Sequence, residues 1–281
     1  MIGHMIHGLR SIAAVLLVAF GMLHPSSDAP EHPVQVRHQE GLVHGFLVLR
    51  TLEGHILADG DLTQFARGDR VTSHFLFHFK DGSIHDETTI YSQRGNFRLL
   101  SYHLVQSGPA FEHPMEILID TAKSQITVHY TDDGKGKVTT DHLDLPPNTA
   151  NGMIPTLLKN ISPAVAETKV AMVAATPKPL LVKLAIAPEG DEPFSAGSSG
   201  RKATKYVVKV EIGGLKGLVA PLLGKQPPDT HVWILGGDAP TFVKSEGPLY
   251  LGGPIWQIEL VSPVWPQTGA GDSKEPDKSK H

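Results

Sequence analysis

The sequence predicts a mainly β protein with a minor helical part (α+β minor): a curved antiparallel meander, or half-barrel, with one or two short helices packed on its concave side. Three observations carry this. Short runs alternate apolar and polar side chains at period two, as strands with one buried face do. Turn-forming pairs and many of the 28 glycines and 22 prolines separate the runs. Helical spacing shows in only two short stretches.

Residues 46–51 and 54–62 open the meander. Residues 71–106 then read as three strands joined by two tight turns. In residues 71–80, Val71, Ser73, Phe75, Phe77 and Phe79 share one face, and Thr72, His74, Leu76, His78 and Lys80 the other. Asp81-Gly82 follows, a pair suited to a two-residue type I′ turn. With those two residues as the loop, Lys80 pairs with Ser83, His78 with His85, Leu76 with Glu87 and His74 with Thr89. Phe79 then opposes Ile84, and Phe75 opposes Thr88. A shift of one residue would take this pairing apart.

The turn at residues 93–96 feeds a strand over 97–106, which Ser107-Gly108-Pro109 breaks. Residues 115–120 and 125–130 form a further hairpin, and residues 132–136 turn into a strand over 137–143. Asp120-Thr121-Ala122 loosely resembles the active-site turn of retropepsin-like aspartic proteases. It lacks the glycine that should follow the hydroxyl residue, and polar residues suit any turn.

At residues 145–148 the period changes. Met153, Ile154, Leu157, Leu158 and Ile161 recur at helical spacing, with Asn151 placed to cap and Pro155 in the first turn. Strands resume over 169–175 and 180–187. Residues 188–202 read as a polar surface loop. Residues 206–212 alternate again, and residues 213–224 hold apolar residues at a helical turn or two, broken by Pro221. Strands over 231–235, 241–244 and 255–261 end the domain, with a glycine-rich loop over 246–254.

The chain has 281 residues, 40% hydrophobic and 19% charged, enough for a sizeable core. A net charge of -4 without a basic stripe gives no case for nucleic acid. The absence of cysteine excludes disulfides, thiolate metal sites and cysteine nucleophiles. Residues 11–23 are an uninterrupted apolar run behind Arg10, the length of a signal-peptide core rather than of a ~20-residue membrane span. Residues 1–29 therefore read as a signal peptide or an N-terminal anchor, with Ser27-Asp28-Ala29 and Ala19-Phe20-Gly21 as alternative processing sites. Residues 30–44 follow as a flexible lead-in, 45–266 as a single half-barrel domain, and 267–281 as a disordered tail. The expected location is exported, in the periplasm or cell envelope, with membrane contact only through residues 1–29 if they are retained.

No catalytic motif stands out, and no cofactor is implied. The first functional reading is non-enzymatic binding of an apolar, lipid-like ligand by Phe75, Phe77, Phe79, Leu157, Leu158, Trp233 and Trp256, because ligand cavities are mostly apolar with few polar groups. The second is a metal-binding protein or metal-dependent hydrolase. The two-residue turn brings His74, His78, His85 and Glu87 onto one sheet face, and imidazoles with a carboxylate are suitable ligands. The third is a structural role, in which a free sheet edge pairs with an envelope protein partner.

The stretches NGMIPTLLKNI from Asn151, THVWILGG from Thr230 and GGPIWQIEL from Gly252, set in a long meander behind an export signal, resemble exported bacterial β-rich proteins that share a LolA-like half-barrel. The resemblance covers about residues 45–266. It implies a curved sheet wrapped around helices and an apolar concavity, and by analogy the carriage of lipid or acyl chains; it transfers no individual residue.

Overall fold

The computed structural model describes residues 32–196, 199–211 and 227–261. Residues 1–29, read as a signal peptide or anchor, the apolar stretch at 213–224 and the tail at 267–281 lie outside them. Among the described residues, fourteen strands form one antiparallel sheet: β1 (Val43–Thr51), β2 (Ile56–Arg67), β3 (Arg70–Phe79), β4 (Ile84–Ser92), β5 (Arg98–Ser107), β6 (Met115–Asp120), β7 (Gln125–Asp132), β8 (Lys135–His142), β9 (Thr168–Ala174), β10 (Leu180–Ala196), β11 (Ser199–Glu211), β12 (Thr230–Leu235), β13 (Thr241–Pro248) and β14 (Ile255–Val261). One helix, α1 (Ile154–Leu158), accompanies them.

The strand order runs from β8 back to β1, then β14 back to β9. Two sequential meanders, β1 to β8 and β9 to β14, are therefore fused at one seam, where β1 pairs with β14 from Phe46 opposite Val261 to Thr51 opposite Trp256. Arg50 Nε spans this seam to Glu259 Oε2 at 3.1 Å. The sheet is long, curved and not closed, with β8 and β9 as its two edges.

Alternation decides which face is buried. Leu47 and Leu49 of β1, Phe77 and Phe79 of β3, Ile117 and Ile119 of β6, Ile126 and Val128 of β7, and Tyr206 and Val208 of β11 all turn into one continuous core. Each such side chain withdraws enough apolar surface to contribute about 1.5–3 kcal/mol. α1 lies within the curve. Its Leu157 and Leu158 are buried, Tyr91 Oη lies 3.3 Å from Thr156 Oγ1, and Tyr206 Oη donates to the Ile161 carbonyl at 2.9 Å.

Three expectations change here. Asn151 does not cap α1, whose N-cap is Met153 without a side-chain bond. The amide of Asn151 instead bonds both the N–H and the C=O of Val173 at 2.8 Å, standing in for a strand neighbour on the outer side of β9. Residues 188–196 and 199–202 are not a surface loop, because β10 and β11 run on as paired strands through a bulge between Pro188 and Gly190. Residues 34–40 of the lead-in, read as flexible, are docked. Val36 N–H bonds Gly95 O, Phe97 N–H bonds Val34 O, and Glu40 is buried, bonded by Gln64 Nε2 at 2.7 Å and beside Lys159 Nζ at 2.5 Å. A carboxylate out of water at this end of the sheet needs both partners.

Candidate functional site

The decisive local feature is the turn between β3 and β4. Gly82 has φ of 86° and donates to Phe79 O at 3.1 Å, while Phe79 N–H bonds Ser83 O at 2.9 Å. Ser83 N–H in turn bonds Asp81 Oδ1 at 2.9 Å. The loop is therefore three residues, Lys80 to Gly82, with glycine at the left-handed position, rather than the two-residue loop expected from Asp81-Gly82. Pairing moves by one residue. His78 faces Ile84, Phe77 faces His85, Phe75 faces Glu87 and His74 faces Thr88.

Because side chains alternate, this single step exchanges the faces of β4 relative to β3. The four residues read as a metal cluster are divided: His74 and His78 lie on the outer face, His85 and Glu87 on the inner face with Phe75, Phe77 and Phe79. Among the described residues no group of three or more histidine, aspartate or glutamate side chains converges as metal ligands would.

The inner face carries a connected aromatic track. Phe75 and Phe77 meet edge to face at 5.0 Å between ring centres, Phe79 meets Phe111 at 5.4 Å and Trp256 at 5.6 Å, and Phe111 meets Tyr250 at 5.5 Å. His85 sits among these rings, 6.0 Å from Phe75 and 6.5 Å from Phe111. Phe111 and Tyr250, not among the expected site residues, come from a strand break and from the glycine-rich loop. Those settings carry no periodicity to mark them as inward.

The polar groups on this face are few and perturbed. Gln106 Nε2 donates both to Leu249 O at 3.0 Å and to His85 Nδ1 at 3.1 Å. The imidazole proton therefore resides on Nε2, which is buried and has no partner among the described residues. Burial pushes the His85 pKa down to about 4, with Asp86 opposing weakly, so the ring is neutral at pH 7.

Two residues along β4, Glu87 accepts a hydrogen bond from Tyr102 Oη at 2.9 Å. Desolvation raises its pKa to about 7, despite the Tyr102 hydrogen bond that favours the carboxylate. Burial, then the adjacent Glu87 charge, pushes the Tyr102 hydroxyl well above its ordinary range. Gly152, at φ of 66°, packs onto Glu87 and Thr89 from the segment that crosses from β8 to β9. A Cβ there would lie 1.9 Å from Thr89 Oγ1 and 3.1 Å from Glu87 Oε1, so only glycine fits.

Leu157 and Leu158 join the same core as the aromatic track, and so does Trp256. Trp233 does not. It packs with Ala203, Leu235 and Val243 in a separate cluster on the opposite face of the sheet. There its Nε1 donates to Glu192 Oε2 at 2.8 Å, and Lys244 Nζ lies over the ring at 4.1 Å. Strand β12 is buried on both faces, which period-two reading from a single strand cannot divide.

The outer face repeats one motif on successive hairpins. His44 Nε2 lies 2.9 Å from Asp61, His74 Nε2 lies 2.8 Å from Asp86, and His103 Nε2 lies 2.7 Å from Glu116. His44, Thr63, His74, Thr88 and His103 form a single transverse row across five strands. Each imidazole meets one carboxylate diagonally across its hairpin.

No protein-family model and no curated protein matches the chain. Among solved structures it is similar to a β-barrel-like protein of a domain of unknown function from Brucella abortus, with a TM-score of 0.47 at 8% identity over 81% of this chain and 100% of that one. It is also similar to the hypothetical lipoprotein YmcC from Escherichia coli, with a TM-score of 0.34 at 10% identity over 79% of this chain and 85% of that one.

Proposed function

We propose that this is a non-enzymatic, exported protein of the cell envelope that holds an apolar, lipid-like ligand within the curve of its sheet. The observation that carries the reading is the aromatic track of Phe75, Phe77, Phe79, Phe111, Tyr250 and Trp256 on the concave side of a sheet that does not close. An apolar surface with very few polar groups is what acyl-chain recognition requires. The ionisable groups beside the track support it, since His85 is neutral at pH 7 and Glu87 is about half protonated there. Phe75 and Tyr250 are only partly buried, so the track reaches solvent rather than ending inside the core. The apolar run at residues 11–23 supports export, and the LolA-like resemblance supports acyl-chain carriage by analogy of architecture.

Native mass spectrometry of protein purified without detergent from its producing cells tests this. The expected spectrum contains a second species heavier by one lipid or fatty acid, and cis-parinaric acid gains fluorescence on binding the stripped protein. Phe111→Ala and Trp256→Ala then change probe affinity, while Trp233→Phe leaves it unchanged. A single apo mass together with no parinaric acid signal would overturn the reading.

A further inference from the structure

The two edges of the sheet are finished differently. On β9 the outward-facing backbone groups from the Lys169 carbonyl to Val173 are occupied. Asn148 Nδ2 bonds Lys169 O, Ala171 N–H bonds Asn148 O, Ala150 N–H bonds Ala171 O, and the Asn151 amide takes both groups of Val173. The crossing segment thus acts as a surrogate fifteenth strand, one of the ways in which proteins protect an edge.

Among the described residues, strand β8 has no such cover. Leu143 N–H bonds Ser124 O, which fixes the phase of the β7–β8 ladder. Residues 135, 137, 139 and 141 turn their backbone groups toward β7, and Gly136, Val138, Thr140 and His142 turn theirs away from the sheet. All four of these are exposed, and Val138 is 58% exposed, the second highest of the large exposed apolar residues. The β9–β10 turn reaches β8 through a single side-chain bond, Thr139 Oγ1 to Pro177 O at 2.7 Å. A groove of about 380 Å³ separates the turn from the strand.

We propose that β8 is a docking edge for a second copy of this chain, joined antiparallel about Val138. With the two-fold axis at Val138, that residue exchanges backbone hydrogen bonds with its own copy, and Gly136 does so with Thr140, each using a group that β7 leaves free. Lys135 then stands opposite Asp141 on both sides of the axis, and the exposed Val138 side chains bury each other. Moving the axis to Lys137 sets two lysines face to face. Moving it to Thr139 sets Lys137 against Asp141, although Lys137 is already engaged by Asp132. All three axes pair even-numbered residues with even-numbered ones and so keep the hydrogen-bond phase; charge complementarity selects the one at Val138.

The chain contains no cysteine, which makes the test clean. Directly opposed, hydrogen-bonded strand residues have Cα atoms about 5.5 Å apart, within disulfide reach. Val138→Cys is expected to give a disulfide-linked dimer under mild oxidation, while Thr63→Cys, on the outer face away from the edge, forms no disulfide-linked dimer. Sedimentation of the cysteine-free chain is expected to show a dimer that grows with concentration. Val138→Pro removes only an N–H that the internal ladder does not use, so the circular dichroism spectrum persists while the dissociation constant rises about tenfold or more. Lys135→Asp weakens association as well, and adding Asp141→Lys restores it, whatever the fate of the proline variant. A chain that stays monomeric up to millimolar concentration overturns the proposal, as does a dimer indifferent to Val138→Pro and to Lys135→Asp.

Discussion

On the outer face of β3 and β4, His74 and Asp86 lie 2.8 Å apart with 36% and 43% of their side chains exposed. On the inner face of the same two strands, His85 is buried among phenyl rings with one nitrogen unpartnered, and Glu87 is held by Tyr102 with its pKa at about 7. An imidazole and a carboxyl occur within a few residues of each other under opposite conditions. Outside, water and a close partner make charge inexpensive. Inside, desolvation outweighs every local partner, so the imidazole gives up its charge and the carboxyl retains a proton well above its ordinary range. Location relative to the sheet, more than residue identity, sets the chemistry available.

The largest effect should come from the packing that creates this contrast. Phe77→Ala on the inner face is expected to cost about 3–5 kcal/mol, measured by urea unfolding, whereas Leu76→Ala on the outer face should cost about 1 kcal/mol. Similar costs for both would show that the two faces are not distinct environments.

The next effect is on pH dependence. His85 has a folded pKa of about 4 against an ordinary 6.5, so the unfolded chain binds more protons between those values. Its contribution to stability is complete above pH 6.5 and is lost, by about 3 kcal/mol, as pH falls toward 4. Glu87 acts in the opposite sense. Its folded pKa is raised from 4.5 to about 7, so the folded state binds more protons, and stability declines as pH rises through that window. Glu87 keeps some solvent contact, so an amplitude of about 1–3 kcal/mol is expected. The two contributions oppose each other between pH 4.5 and 6.5. Glu87→Gln should therefore expose a steep acid lability that the parent chain hides, and His85→Gln should leave stability falling from pH 4.5 to 7. Unfolding midpoints measured from pH 4 to 8 for the three proteins check both slopes, and parallel curves would contradict the inner-face assignment.

Asn151→Ala sharpens the comparison of the edges. It strands both backbone groups of Val173 in a buried setting and should cost about 2 kcal/mol, with faster amide exchange along β9 but not along β8. The smallest effect belongs to the outer pairs. His74→Ala or Asp86→Ala should change stability by less than about 1 kcal/mol, and by less again in high salt. A double-mutant cycle checks this.

Much of the fold was legible in the chain because period-two alternation is a local property. The strands over residues 115–120, 180–187 and 255–261 could be marked from their own side chains and from the turns beside them. Phe77 and Leu158 could be marked as inward for the same reason. The candidate site was less legible. Tyr102 and Glu87 meet across a hairpin, Gly152 arrives from a segment fifty residues away, and Trp233 lies on a strand that is covered on both sides.

Local sequence determined that this chain is β-rich, where most of its strands lie and, within most of them, which residues share a face, because alternation is built into the extended backbone. Tertiary structure decided which faces meet. A turn one residue longer than Asp81-Gly82 alone suggests placed His85 and Glu87 inside and left His74 and His78 outside, since hydrogen bonds at a hairpin end fix its register for the whole ladder. Tertiary structure also decided the junction of β1 with β14, the assignment of Asn151 to the β9 edge, and the exposure of β8. Those depend on free energies of long-range pairing that no single stretch of the chain contains.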